Sequence, residues 1–398
     1  MTGSQEYHPR TNRGGLRISR HGIPIGGIFG ITIDLDYSWF LIVGLLTWIL
    51  AGSYYPSQFR DWSGAEYWAM GFITAVMLFV SVLIHELAHS LVAQRFGIPV
   101  PRITLFLFGG VSQIAGEPPN AATEFWIAVV GPVTSFALAA LCWELEPLVA
   151  SSQPLFALAE YLAILNLILA LFNLIPGFPL DGGRVLRAIL WRFSKNYHRA
   201  TMAAVFTGRF FGFAMIFFGF WQMLTGAFVN GIWIAFIGWF LESAAGSELH
   251  QETLKYLLGG HKVADAMQRT FPQVPASSTV EDLAEQTGLL SNGRPVVVSG
   301  PEGAAGLVTL TEIRKLPHQA WNSTAAAQVM TPLNSVDTTQ PDAILWSALE
   351  KMGRDGVNQL PVVDGTGIVG MLSREDVLHY LSMLESFQGW KSMSGQKR

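Results

Sequence analysis

Six apolar stretches dominate the first 250 residues: Ile31–Tyr54, Glu66–Gln94, Thr123–Leu145, Leu155–Ile175, Ala203–Thr225 and Asn230–Ser247. Each approaches or exceeds the roughly 20 residues that an α-helix needs to cross the hydrocarbon of a bilayer. The pattern therefore predicts six transmembrane helices. Between the second and third, Pro101–Ile114 alternates apolar and polar positions around Gly109-Gly110, which predicts a β-hairpin turning at the glycines. Beyond about residue 260 the long apolar runs stop, and short valine-rich strands alternate with helical segments between Gly and Pro punctuation.

Composition sharpens this division. Of the 398 residues 50% are hydrophobic and only 14% are charged, with a mean hydropathy of +0.35. A soluble domain is nearer a quarter charged. Between His21 and Asn173 there are 13 Asp, Glu, Lys and Arg residues, and no lysine precedes Lys195. The basic residues fall on alternate loops. The N-terminal tail holds Arg10, Arg13, Arg17 and Arg20, the second loop Arg95 and Arg102, and the fourth Arg184, Arg187, Arg192, Lys195 and Arg199. The first loop has only Arg60, and the third and fifth have none. By the positive-inside rule, both termini are cytoplasmic. The polar tail of about 22 residues is longer than a signal peptide's leading region, so the first span reads as an uncleaved anchor, with Ala51-Gly52-Ser53 the alternative cleavage point. The tail has no organelle transit character, which suggests a prokaryotic cell membrane or internal membrane. A net charge of −4 leaves no basic footprint for nucleic acid. The single cysteine, Cys142, excludes a disulfide framework and reads as a small buried hydrophobe.

Candidate chemistry lies where charge interrupts the apolar runs. The second span contains Leu83-Ile84-His85-Glu86-Leu87-Ala88-His89-Ser90. Histidines at i and i+4 lie about 40° apart on one helix face, so His85 and His89 can chelate one metal ion, with Glu86 beside them to act on water. Three ionisable groups inside a membrane span carry a large desolvation cost and are functional by default. Zinc with two histidines needs a third protein ligand and an open position. Asp181, in Asn173-Leu174-Ile175-Pro176-Gly177-Phe178-Pro179-Leu180-Asp181-Gly182-Gly183-Arg184, lies at a compatible depth near the end of the fourth span. Two prolines unwind the backbone there, which a membrane tolerates only inside protein or beside water. Gly131-Pro132-Val133-Thr134-Ser135 reads as a small-residue packing face. Arg209 and Glu242 read as snorkelling side chains, and His198 and His379 receive no role.

Together, HELAH and NLIPGFPLDGGR resemble the two motifs of the site-2 protease family of intramembrane zinc metalloproteases, over roughly residues 20–247. The resemblance implies one zinc per chain held by His85, His89 and Asp181. It implies Glu86 as the catalytic base and Asn173 as a residue that orients substrate or supports the oxyanion. It also implies a re-entrant hairpin at 101–114 that pairs with a locally unwound single-span membrane protein substrate. The competing reading is a metal transporter or channel regulated by its soluble tail.

The tail repeats itself. Val263–Met267 echoes Ala326–Met330, Arg294–Val298 echoes Leu360–Val363, and Gly306–Ile313 aligns with Gly370–Val377. This resembles a pair of CBS motifs forming one α/β Bateman module. The resemblance implies an adenine nucleotide (ATP, ADP or AMP) held by Ser373 and Asp376, and by Thr309 with Glu312 where the family usually has aspartate. It also implies a homodimer through the CBS domains. Asp376 acting only as a helix cap is the competing reading. The expected organisation is a cytoplasmic tail (1–22), a transmembrane metalloprotease domain (23–247), a linker (248–260), CBS motif 1 (261–318), CBS motif 2 (324–385) and a C-terminal tail (386–398). The fold class expected is thus a polytopic α-helical membrane protein with a re-entrant hairpin, plus a cytosolic α/β module. Its environment is the lipid bilayer.

Overall fold

The computed structural model describes residues 22–286, 295–300, 303–365 and 367–395. The N-terminal arginines and Arg294 of the repeat lie outside these. The chain divides into two compact units, one reaching to Glu252 and the other beginning at Thr253.

Six helices in the described residues are long and apolar enough to cross a membrane. The first runs through Tyr37–Gln58 and comprises α1 (Tyr37–Ile49), a π-helical turn at Leu50–Tyr54 and α2 (Tyr55–Gln58). The others are α3 (Gly64–Arg95), α4 (Ala121–Val149), α5 (Gln153–Asn173), α7 (Tyr197–Leu224) and α8 (Phe228–Leu258), with a shorter α6 (Asp181–Ser194) between α5 and α7. Polar residues just ahead of the apolar runs set several starts. Ser63 and Glu66 form a capping box on α3, while the Asp36, Asn120 and Asn196 side chains accept from the first free N–H groups of α1, α4 and α7.

The sequence expectation fails at the first span. Ile31–Asp36 is a strand, β2, and the helix begins only at Tyr37. The alternation in Ile31-Thr32-Ile33-Asp34-Leu35-Asp36 merges with the apolar run behind it and hides the strand. Together β1 (Gly22–Ile28), β2, β3 (Arg102–Phe106) and β4 (Gly109–Gln113) form one sheet in the order β1-β2-β3-β4. Strands β2 and β3 pair in parallel, with Thr32 opposite Arg102, and the other two pairs are antiparallel. Asp34 of β2 forms an ion pair with Arg102 of β3. The sheet packs Ile31, Leu35, Ile103 and Leu105 against Val82 of α3 and Ile127 of α4. The expected hairpin exists, but its turn is Leu107-Phe108, and Gly109-Gly110 begin the returning strand.

Two further corrections concern charge and burial. Arg209 and Glu242 do not snorkel separately: Arg209 Nη2 lies 2.8 Å from Glu242 Oε1, joining α7 to α8. Cys142 is half-buried rather than buried.

The C-terminal unit has a four-stranded sheet, in the order β5 (Gln273–Pro275), β6 (Val296–Gly300), β7 (Gly303–Val308), β8 (Thr331–Pro332), and a hairpin of β9 (Gln359–Asp364) and β10 (Gly367–Ser373). The two repeats exchange their leading segments. Val263 packs with Leu345 and Leu360 of the second copy, while Ala326 packs with Val280 and Val296 of the first. Each copy completes the other's core, which is why the repeat comes as a pair. The last helix, Arg374–Gly395, continues past residue 385, where the tail was expected to begin.

Candidate metal centre and active site

The helix α3 places His85 and His89 on one face, both 3% exposed, with ring centroids 4.8 Å apart. Asp181 is the first residue of α6 and follows the loop that Pro176 and Pro179 break out of α5. Its helix start lies backbone to backbone on the end of α5. A Cβ on Gly182 would fall 2.3 Å from the Ile175 carbonyl oxygen, so only glycine allows this fold-back. The result brings together the three residues expected from sequence. His85 Nε2, His89 Nε2 and Asp181 Oδ2 stand 3.1 Å from one another in all three pairs.

Hydrogen bonds on the far sides of the rings decide what these atoms can do. His89 Nδ1 lies 2.6 Å from the Ile127 carbonyl oxygen, which only accepts, so Nδ1 carries the proton and Nε2 keeps its lone pair toward the cluster. His85 Nδ1 lies 2.8 Å from Ser135 Oγ. Ser135 Oγ can accept the His85 Nδ1 proton, and in that tautomer two imidazoles and a carboxylate aim electron pairs at one point, a set suited to a cation. Neighbouring donors around tetrahedral zinc, with bonds of about 2.0–2.1 Å, lie roughly 3.3 Å apart, close to the separations seen. The donor set and its spacing fit zinc, and the outer partners orient histidine ligands as in established zinc sites.

Glu86, one residue along α3 from His85, is held from the hairpin side. Ser112 Oγ on β4 donates to Glu86 Oε2 at 2.6 Å, and Ser90 Oγ donates to Ser112 Oγ at 3.2 Å. Gly110 explains the Gly-Gly pair: a Cβ there would lie 2.5 Å from Glu86 Cγ. Gly110 thus admits the glutamate, while Gly109, at φ +133°, supplies the backbone conformation with which the chain leaves the turn.

Three residues escape the sequence reading. Gly131 and Ser135 are not a mere packing face. A Cβ on Gly131 would lie 2.1 Å from His89 Nε2 and 2.6 Å from His85 Nε2, and Ser135 partners His85. Their i, i+4 spacing, matching that of the two histidines, was the available signal. Ser112 is the third, and only its place on a strand facing the HELAH helix could have marked it. Asn173, the last residue of α5, is half-buried, and its side chain has no hydrogen-bond partner among the described residues. The structure therefore does not join it to the cluster.

In the C-terminal unit, Asp376 Oδ2 accepts from Ser373 N at 2.9 Å and from Ser373 Oγ at 2.6 Å, capping the last helix. Its Oδ1 accepts from Gln268 Nε2 at 2.6 Å. Thr309 and Glu312 form the equivalent capping box, with Thr309 N 3.0 Å from Glu312 Oε2. Gln268, Thr270, Ser373 and Asp376 line a cavity of about 30 Å³, room for little more than a water molecule.

Comparison with known proteins agrees with this architecture. The family model described as peptidase family M50 matches residues 73–151 and 145–218, and the CBS domain model matches 326–383. Rip3 of Mycobacterium tuberculosis, which bears a zinc metalloprotease name, is 36% identical over 92% of this chain and 94% of its own length. The Synechocystis protein sll0528, similarly named, is 32% identical over 92% of this chain and 97% of its own. The solved site-2 protease from Methanocaldococcus jannaschii is 30% identical, covering 57% of this chain and 94% of that one with a TM-score of 0.42. Similarity at this level over nearly the whole length places the chain in the M50 peptidase family: it is a multi-pass site-2 protease, an intramembrane zinc metalloprotease carrying a C-terminal CBS domain.

Proposed function

We propose that His85, His89 and Asp181 hold one zinc ion and that Glu86 acts on the attacking water. The observation that carries this reading is the convergence of three electron-pair donors 3.1 Å apart, with His89 fixed in the tautomer that leaves Nε2 free. Family membership removes the support for the transporter reading.

When bound, zinc supplies a Lewis acid for the scissile carbonyl and lowers the pKa of water toward neutrality. Glu86 takes the proton of the attacking water and passes it to the leaving amine. Ser112 holds the carboxylate in place while it does so. Asn173, with its amide uncommitted, is the donor this reading assigns to the oxyanion.

The substrate is a single-span membrane protein, whose helical carbonyls must first be freed from their own hydrogen bonds. Among the described residues strand β4 pairs only with β3 and so leaves one edge open, which supports pairing with an unwound substrate segment in a re-entrant hairpin. Alternating loop charges support cytoplasmic termini, and the bacterial relatives support a prokaryotic membrane. In the cytosolic module, the Ser373–Asp376 and Thr309–Glu312 pairs are the proposed contacts for an adenine nucleotide that modulates cleavage, and the CBS pair is the proposed dimer surface.

Metal analysis of the purified chain tests the first claim. One zinc per wild-type chain and none in His85→Ala, His89→Ala or Asp181→Asn are expected, and retention of zinc by all three variants would refute the ligand assignment. Calorimetric titration of the full chain with ATP, ADP and AMP tests the second. Heat with one of them, lost in Asp376→Ala, is expected; no heat with any leaves the module structural.

A further inference from the structure

Away from the donor atoms, α4 and α6 share a buried ion pair to which no role has been assigned. Glu124 is 0% exposed and Arg187 is 6% exposed. Arg187 Nε donates to Glu124 Oε1 at 2.6 Å, and Nη2 contacts the same oxygen. Glu124 Oε2 is buried without a hydrogen-bond partner. A buried ion pair is a poor stabiliser compared with apolar groups of similar volume, and an unsatisfied oxygen weakens it further. What such a pair can supply is a fixed geometry.

We propose that Glu124 and Arg187 are positioning residues that set where Asp181 stands relative to His85 and His89. This rests on the zinc-site reading above. Glu124 lies one turn before Ile127, whose carbonyl orients His89, on the helix that also carries Gly131 and Ser135. Arg187 lies six residues after Asp181 on α6. Its guanidinium sits over the ring of Phe178 at 4.7 Å, three residues before Asp181, and over Tyr197 at 4.9 Å, with Glu248 Oε1 3.8 Å from Nη1. Asp181 is thus bracketed: the chain on both sides of it is gripped by one guanidinium, and that guanidinium is tied to α4.

The link between grip and ligand is stiff. A Cβ on Gly183 would fall 2.3 Å from the Gly177 carbonyl carbon, so the first turn of α6 packs backbone to backbone on its approaching loop. A shift at Arg187 therefore becomes a shift of Asp181, while His85 and His89 stay on α3. Zinc ligation tolerates about 0.2 Å.

The test uses the full chain in detergent with Glu124→Gln and Arg187→Lys. Zinc affinity is measured by chelator competition, thermal unfolding on zinc-stripped protein, and kcat and KM on a reporter substrate. Glu124→Gln should weaken zinc about tenfold to a hundredfold, the range for loss of an outer partner; because it also leaves the Arg187 charge buried without its partner, a lower zinc-stripped melting temperature is expected beside the lost affinity. Its kcat should fall more than its KM rises. Arg187→Lys keeps the charge but loses the fork and the ring stacking, and should be intermediate; it carries the test if Glu124→Gln fails to fold. Wild-type zinc affinity in the variants, or a lowered melting temperature with affinity unchanged, would make the pair merely structural. If Asp181→Asn, run alongside, held zinc as tightly as wild type, the ligand reading would fall, and the positioning role with it.

Discussion

Replacing Gly131 with alanine adds one methyl group in the place where it matters most. That carbon would stand 2.1 Å from His89 Nε2 and 2.6 Å from His85 Nε2. Non-bonded carbon and nitrogen settle at roughly 3.5 Å or more, so the two ring nitrogens must retreat by about 1.4 and 0.9 Å. The rings have little room, because Ile127 and Ser135 hold their far sides at 2.6 and 2.8 Å. A displacement of about 1 Å is several times what a metal site tolerates and is worth about a hundredfold in rate even where chemistry survives. Zinc should be lost or bound at least a hundredfold more weakly, with cleavage falling in step. The helix itself is not harmed: alanine in a helix interior is about 1 kcal/mol better than glycine. Metal analysis and a melting curve on the same preparation separate the two effects. A Gly131→Ala protein with one tightly held zinc and wild-type cleavage would refute the arrangement of these three residues.

Three other perturbations probe neighbouring contacts. Ser135→Ala removes the partner of His85 Nδ1 and should weaken zinc about tenfold to a hundredfold in chelator competition. Ser112→Ala removes a hydrogen bond to a carboxylate worth about 1.5–3 kcal/mol, so kcat should drop by roughly one to two orders of magnitude with zinc content unchanged. Asp376→Ala removes half of the capping box on the last helix and should cost about 1 kcal/mol, read as a lower unfolding midpoint of the C-terminal unit with zinc content unchanged.

Local patterns carried most of the site. The two histidines and Glu86 declare themselves by helical spacing within an apolar run, and Asp181 by the prolines and glycines around it. The spans were legible for the same reason, since length and hydropathy are local properties. What failed was tertiary. Gly131 and Ser135 look like any small-residue stripe until α3 is laid against α4. Gly110 reads as half of a turn because its task, making room for Glu86, depends on a helix 24 residues earlier. Strand β2 was absorbed into an apolar run because its partner β3 lies beyond α3. The swapped CBS cores have the same origin: the repeat was visible, but not which copy each leading segment would complete.

The role proposed for Glu86 is proton transfer at a zinc site inside the membrane. It is tested most directly by reconstituting wild-type and Glu86→Gln protein with a single-span reporter substrate and measuring cleavage and zinc content together. One zinc per chain is expected in both, and cleavage in the wild type alone. Cleavage by the zinc-loaded Glu86→Gln protein at a comparable rate would contradict it.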